Sequence, residues 1–469
     1  MIYLFSALPV LGVFLAALAV IAWLGITLSK PTISVLVLIA ILVAFSGSSY
    51  GQLDAERTIY SRGTGMLYFS ILNFYLWGLG VAIALRNAFS PVKHDSTPLA
   101  KYFAAFAFLI VANAFVAGIS DDPSLHVIDA FAYNGMLNII NMAILFYVCV
   151  NVFGTQSNAQ KFITFLLIGI GLRGIFGMVR WAFFGGDPAN VYDNIERTGS
   201  KLTFFDTNDG FLAVIAIYCS AWLLSYRQNL LGKKEQVVLW MLLLLETAII
   251  VLSFRRSTLV SLGLASVLFI VLLPAKKRLA ATLLSVGMLV CGSAVLTALR
   301  LSKVRGSATD LGFFYDLFGK GKGFGNSARV LEYTETWRSL GDDWLFGKGM
   351  WGILQSNLAE LSYHAGNFGF VHSGFGHVLL KGGLFGLVMF IGLLASFTVY
   401  YLKARKQLTG KLQMLADVGA AGVLFWLPTL LIGTPIVEYR SMQMLGLALA
   451  LPFIAARAAA TIKAPHAAA

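Results

Sequence analysis

Apolar residues fill this chain in long, nearly unbroken runs. They occupy about 2–27, 31–47, 65–85, 99–118, 132–153, 162–184, 209–226, 236–252, 257–273, 279–299, 378–401, 414–432 and 440–457. Most of these runs come close to the ~20 residues that an α-helix needs to cross the hydrocarbon core of a bilayer. The first two share only a short break around Lys30 and count as two helices or as one irregular element. The pattern therefore predicts an all-α, polytopic transmembrane helical bundle of about 12 spans. No internal repeat stands out, and the one low-complexity stretch is the Ala-rich tail.

Composition narrows the class further. Hydrophobic residues make up 58% of the 469 and charged residues 12%, with a mean hydropathy of +0.78. Soluble domains have about 45–50% apolar and about 25% charged residues. A soluble enzyme, a disordered chain and a secreted disulfide scaffold are excluded. Cys149, Cys219 and Cys291 each sit inside an apolar run and read as small hydrophobes rather than bridges or ligands. The N-terminus has neither a basic leader nor a small-residue cleavage site, so its first run is expected to be a retained span.

The net charge is +13. In a soluble protein that excess would point to nucleic acid; here topology explains it, and no nucleic-acid partner is expected. The loops 227–235, 274–278 and 402–413 carry Arg227, Lys233, Lys234, Lys276, Lys277, Arg278, Lys403, Arg405, Lys406 and Lys411 against a single acid, Glu235. By the positive-inside rule they should face the cytoplasm. Alternation then assigns 48–64, 119–131, 185–208, 253–256, 300–371 and 433–439 to the outer side. The expected organisation is a bundle over 1–299, a periplasmic loop over 300–371, C-terminal spans over 372–457 and a cytoplasmic tail over 458–469. The long loop includes an amphipathic helix from Ser327 to about Leu340. It is too short and polar to have its own core, so it is expected to form a helical cap over the outer mouth.

Even after topology is counted, the outer half keeps 18 basic residues, more than insertion favours. Arg255 and Arg256 lie in Leu-Ser-Phe-Arg-Arg-Ser-Thr, between two runs with no room for a loop. Snorkelling accounts for one such arginine better than for both. An adjacent pair there points to a bound anion, and the guanidinium fork suits phosphate. Arg173 and Arg180 share a face of one span. Arg180, near the outer end, snorkels or supports the site. Arg173 lies deeper, where an unpaired charge is costly, and is expected to meet Glu246, directly or through intermediaries. Arg197-Thr198-Gly199 is followed by Asp206-Thr207-Asn208-Asp209, which reads as an N-cap for the next span. Arg329 opens the amphipathic helix. Trp344-Leu345-Phe346-Gly347-Lys348-Gly349 follows, and then His372-Ser373-Gly374, where the loop returns to the membrane. A histidine there can change protonation near neutral pH, as a general base must. His377 lies off that face and reads as structural. No ATP-type glycine loop is present and no metal-ligand spacing of Cys or His appears, so the substrate must bring its own leaving group.

In order, these blocks resemble the O-antigen ligase and polymerase superfamily of bacterial envelopes. The blocks are Arg197-Thr-Gly with Asp206/Asn208; Ser-Phe-Arg255-Arg256-Ser; Ala-Arg329 with Trp344-Leu-Phe-Gly-Lys-Gly; and His372-Ser leading to Gly382-Gly-Leu-Phe-Gly. They cover roughly 197–390. The doubled arginine departs from the usual Ser-Arg, with Arg256 matching the family arginine; Ser373 stands where the family often has Asn.

The resemblance implies an inverting glycosyltransferase. It would move a glycan from an undecaprenyl-pyrophosphate O-antigen donor to a sugar hydroxyl of lipid A-core, at the periplasmic face of the inner membrane, in lipopolysaccharide biosynthesis. Arg256, Arg255, Arg329 and Arg197 would bind the pyrophosphate and His372 would take the acceptor proton. Asn208, Arg180 and Glu438 would support them, Glu438 by orienting a guanidinium or His372. No metal or other cofactor is expected. The alternatives are a polymerase of the same superfamily and, from a different class, a lipid-linked sugar transporter or flippase.

Overall fold

Capping residues and a few glycines and prolines divide the apolar sequence into helices. The computed structural model describes residues 18, 21–45, 70–89, 97–122, 125–131, 135–184, 206–227, 230–253, 256–301, 324–356, 358 and 367–463. The helices are α1 (Ile21–Ser29), α2 (Pro31–Ala44), α3 (Ile71–Ala88), α4 (Ala100–Ile119), α5 (Leu137–Val152), α6 (Gln156–Phe183), α7 (Thr207–Arg227), α8 (Lys233–Leu252), α9 (Arg256–Leu272), α10 (Ala275–Leu301), α11 (Phe324–Leu340), α12 (Gly374–Arg405), α13 (Gly410–Ile432) and α14 (Tyr439–Lys463). Ser70, Thr155 and Ser373 cap α3, α6 and α12 by accepting a backbone N–H of the first turn. Pro31, at the first position of α2, suits a helix start, where no N–H is needed.

The all-α expectation holds. The described β-structure is one two-residue ladder, Leu354–Gln355 against Asn367–Phe368. Eight described helices are long and apolar enough to cross a membrane, or nine if α1 and α2, bent by 112° about Lys30, form one span. About 12 spans were expected; α5 and the apolar part of α9 are shorter.

α7, α13 and α14 form the centre, with 67–78% of each apolar window buried, whereas α4 has only 22% and faces outward. Small residues permit this density: Gly422 lies against Ala448 and Phe211, and Gly446 against the Met142 carbonyl. Such positions let backbones approach where side-chain hydrophobicity gives little drive between helices. Phe211 packs 5.8 Å from Phe425 and 5.7 Å from Trp426.

These contacts also fix which helix ends lie together. Phe211 meets Phe425 while Ile215 lies near Gly422, so α7 and α13 are antiparallel. Gly210 touches Thr258 and Tyr218 touches Phe269, so α7 and α9 are parallel. The starts of α7, α9 and α12 and the end of α13 share one end of the bundle. The end of α7 and the starts of α10 and α13 share the other: there Lys277 reaches the Ser225 carbonyl, and Arg227 lies beside Gly410.

The segment before α12 is built into that helix. Gly383 interrupts α12 with φ 60°, and Gly347, with φ 75°, sits against the break. Across it the Lys348 N–H donates to the Leu380 carbonyl and the Phe385 N–H to the Leu345 carbonyl, both at 2.9 Å. A Cβ on either glycine would strike the other's backbone. Lys381, fully buried, donates from Nζ to the carbonyls of Met350 (2.8 Å) and Gly352 (2.6 Å). The Trp-Leu-Phe-Gly-Lys-Gly and Gly-Gly-Leu-Phe-Gly blocks are therefore two halves of one joint.

Candidate functional site

The last carbonyls of a helix have no partner within it. At the end of α13 these are taken by hydroxyls: Ser373 Oγ donates to the Leu430 carbonyl at 3.2 Å and Tyr333 Oη to the Leu431 carbonyl at 2.9 Å. The two hydroxyls also lie in hydrogen-bond contact with each other, so one of their two protons is shared between that contact and a carbonyl. Partial burial raises the Tyr333 pKa above its ordinary value, so the phenol remains a donor. This clasp fixes α11 against the start of α12.

On the same helix turn, Glu332 is fully buried and holds His372 at two points. Its Oε2 accepts the His372 backbone N–H at 2.7 Å and its Oε1 meets Nδ1 at 2.8 Å. A carboxylate only accepts, so Nδ1 carries the proton and the lone pair of the neutral ring falls on Nε2. The histidine side chain is 23% exposed while Glu332 has no exposed surface. Phe370 packs edge-on against the imidazole, with centroids 5.2 Å apart. The result is a histidine with a fixed tautomer and a fixed ring plane, which is what a general base requires.

The arginines expected around it are placed as follows. Arg197 and Arg255 lie outside the described residues. Arg256 is the first residue of α9. Ser261, five residues on, donates to the Phe425 carbonyl at 2.7 Å. Five residues from Phe425 toward the end of α13 is Leu430, the acceptor of Ser373. Since α9 and α13 are antiparallel, the start of α9 lies level with the residue that holds the base of the His372 loop. Arg329 occupies α11 one turn before Glu332. The side chains of Arg256 and Arg329 are not described. Arg180 lies in the last turn of α6. Glu438 is exposed and accepts from Ser441 Oγ at 2.5 Å, whereas Nδ1 of His372 is held by Glu332. His377 is fully buried, its Nε2 3.1 Å from the Gly135 carbonyl.

Arg173 does not pair directly with Glu246; it pairs with Asp209, Nη2 to Oδ2 at 3.1 Å, and Asp209 in turn acts electrostatically on Glu246, so the two meet through an intermediary. Asp209 and Asp206 also bind Arg440, at 2.9 and 3.0 Å. Among the described residues, two cations and two acids meet in this cluster. The guanidiniums cap the end of α2 as well: Arg440 Nε donates to the Leu42 carbonyl and Arg173 Nη1 to that of Ala44. Glu246 is buried beside Gly174, and its Oε1 has no hydrogen-bond partner among the described residues. The N-cap expectation holds in reciprocal form: Asp206 Oδ1 accepts the Asp209 N–H, and Asp209 Oδ2 accepts the Asp206 N–H. Asn208, also buried, donates to Asp206 at 3.5 Å.

Sequence reasoning missed Glu332, Arg440 and Lys381. Glu332 was signalled only by its place three residues after Arg329, and Arg440 by a cation opening a span two residues after an acid.

No curated protein matches the chain. Residues 237–391, from early in α8 to the middle of α12, match the O-antigen ligase family. That family implies glycosyltransferase-type ligase or polymerase activity in general, on lipid-linked sugars in a membrane context. The matched third of the chain contains α9, α11, Glu332, His372 and the Gly347–Gly383 joint, and the match supports membership of this chain in the O-antigen ligase/polymerase superfamily.

Proposed function

We propose that the protein is an O-antigen ligase of the bacterial inner membrane, with its site facing the periplasm and residues 300–371 capping it. The donor is a glycan on undecaprenyl pyrophosphate, and the acceptor is a sugar hydroxyl of lipid A-core. The single observation that carries this reading is the buried Glu332 fixing His372 at the bundle end where α9 begins with Arg256.

In the proposed reaction, His372 Nε2 takes the proton of the acceptor hydroxyl as its oxygen bonds to the anomeric carbon. The bond from that carbon to pyrophosphate oxygen breaks on the opposite face, so the centre inverts. Charge grows on the departing pyrophosphate, and Arg256 and Arg329, with Arg255 and Arg197, neutralise it. They fill the role a divalent metal often has in glycosyl transfer. Asn208, Arg180 and Glu438 support the site at a distance. The ligase reading over the polymerase one rests on the single long loop late in the chain.

The test is an in vitro transfer with purified protein, undecaprenyl-pyrophosphate glycan and lipid A-core, with chelator and without ATP. Ladder-modified lipopolysaccharide from wild type and not from His372→Ala is the expected result. Lengthened lipid-linked glycan would replace ligase by polymerase, and no product under any acceptor condition would favour transport.

A further inference from the structure

The end of the bundle away from His372 holds a cavity of about 330 Å³ between α7, α8, α9 and α10. Its walls are mainly apolar, with Val214, Leu243, Leu262 and Phe269 among them, and no acidic residue is among the described residues that line it. Lys276 and Lys277 stand on its border. The neighbouring Arg278 is engaged with the carbonyls of Leu273 and Val271. Lys277 donates to the Ser225 carbonyl and lies 5.9 Å from the Tyr226 ring centre. Lys276 is exposed and makes no hydrogen bond or ion pair among the described residues.

An apolar cleft bordered by two lysines, with no acid to neutralise them, matches a molecule with a hydrocarbon chain and a negative head. We infer that this cavity binds an anionic glycerophospholipid. One acyl chain lies between α8 and α9, and the phosphate sits at Lys276 and Lys277. A zwitterionic headgroup carries its own cation and gains less from the lysines. Ser225, Ser266 and Ser285 also line the cavity. Their hydroxyls suit the ester carbonyls of a glycerolipid, which a polyprenyl phosphate lacks. Its lysine end is far from His372: Ser225, which Lys277 reaches, lies 18 residues after Thr207, about 27 Å along α7.

The full-length protein in mild detergent would be titrated with phosphatidylglycerol, phosphatidylcholine and polyprenyl phosphate, and bound lipid read by native mass spectrometry. The binding that Lys276→Ala with Lys277→Ala removes, which reports this cavity apart from the donor site at His372, should be about tenfold tighter for phosphatidylglycerol than for either of the others. That double variant should bring phosphatidylglycerol to the level of phosphatidylcholine. Ala280→Phe, on an exposed part of the lining, should weaken both phospholipids by obstructing the chain. Lys233→Ala, at the same end but outside the cavity, should change nothing. Equal binding of the two phospholipids, an effect of Lys233→Ala as large as that of the double variant, or no effect of Ala280→Phe would overturn the assignment. Tighter binding of polyprenyl phosphate that is lost in the double lysine variant would overturn it in favour of that lipid, whereas polyprenyl binding unchanged in that variant belongs to the donor site.

Discussion

Glu332 accepts two hydrogen bonds from His372, one from its backbone N–H and one from its ring, across 40 residues of sequence. Two contacts to one carboxylate fix the position of the residue and the plane of its ring together. Tyr333, on the same turn of α11, ties that turn to the Leu431 carbonyl at the end of α13, so the carboxylate stands on a helix anchored to the bundle. Fixed placement of this kind is what the proposed role of His372 as a general base needs.

Replacing His372 with Ala should lower transfer by roughly 10²–10⁴-fold, the usual range for a lost general base. Glu332→Gln keeps the shape but offers an amide that can donate to Nδ1, which favours the wrong tautomer; the loss should fall in the same range. If the two act as one unit, the double variant should be no slower than the worse single one. Initial rates in the transfer assay decide this, and additive losses would mean that Glu332 only stabilises the fold.

Gly347 and Gly383 both have positive φ and meet backbone to backbone. Ala at either position meets strain and a clash at once, and should free the segment around 345–352 from α12. Limited proteolysis should then cut that segment sooner, and the melting temperature should fall. Gly263 in α9 is the control: nothing lies within 4 Å of its would-be Cβ. Gly263→Ala should be neutral or stabilise by up to ~1 kcal/mol through helix propensity. Equal behaviour of the Gly263 and Gly383 variants would rule out the joint.

The helices were legible because each apolar run is long and its ends carry ordinary capping chemistry, as at Ser70, Thr155 and Asp206. Partnerships between distant residues were not. Arg173 and Glu246 share an apparent depth, which points to a meeting, direct or through intermediaries, but Asp209 as the intermediary is masked because its tetrad reads fully as a cap. A carboxylate has two oxygens and several lone pairs, and Asp209 uses them for the Asp206 N–H, Arg173 and Arg440 together. Arg440 is 234 residues from Asp206, a separation at which no local pattern operates. At the candidate site, His372 was legible from its place at the membrane boundary. Its partner was hidden on a helix whose polar residues all resembled a solvated face.

Removing one member of the buried cluster leaves a charge without its partner in a low-dielectric interior, which costs about 3–5 kcal/mol. Arg440→Met should therefore sharply reduce stability, since it strands Asp206 and half of Asp209. Arg173→Met combined with Asp209→Asn removes one charge of each sign. That double variant should lose clearly less than the sum of its single variants. Thermal unfolding in one detergent, read as a double-mutant cycle, gives the answer. Strict additivity would mean that the two side chains are not coupled.

Lys381 has no carboxylate beside it among its hydrogen-bond partners. Its Nζ donates to the Met350 and Gly352 carbonyls, just after a turn that Asn113 of α4 also holds by accepting the Met350 N–H at 2.9 Å. Lys381→Met keeps the length and apolar stem but removes both donors, leaving two carbonyls to find other partners at about 1–3 kcal/mol. The loss should be local, because the Lys348–Leu380 and Phe385–Leu345 backbone bonds remain on the other side of the joint. Amide hydrogen exchange should therefore quicken around 348–352 while α13 and α14 keep their protection. The same variant should slow transfer without abolishing it, since His372 is held by Glu332 and not by this segment. Unchanged exchange at 348–352 would show that Lys381 does not hold the turn, and complete loss of transfer would show that the joint and the His372 loop move as one piece.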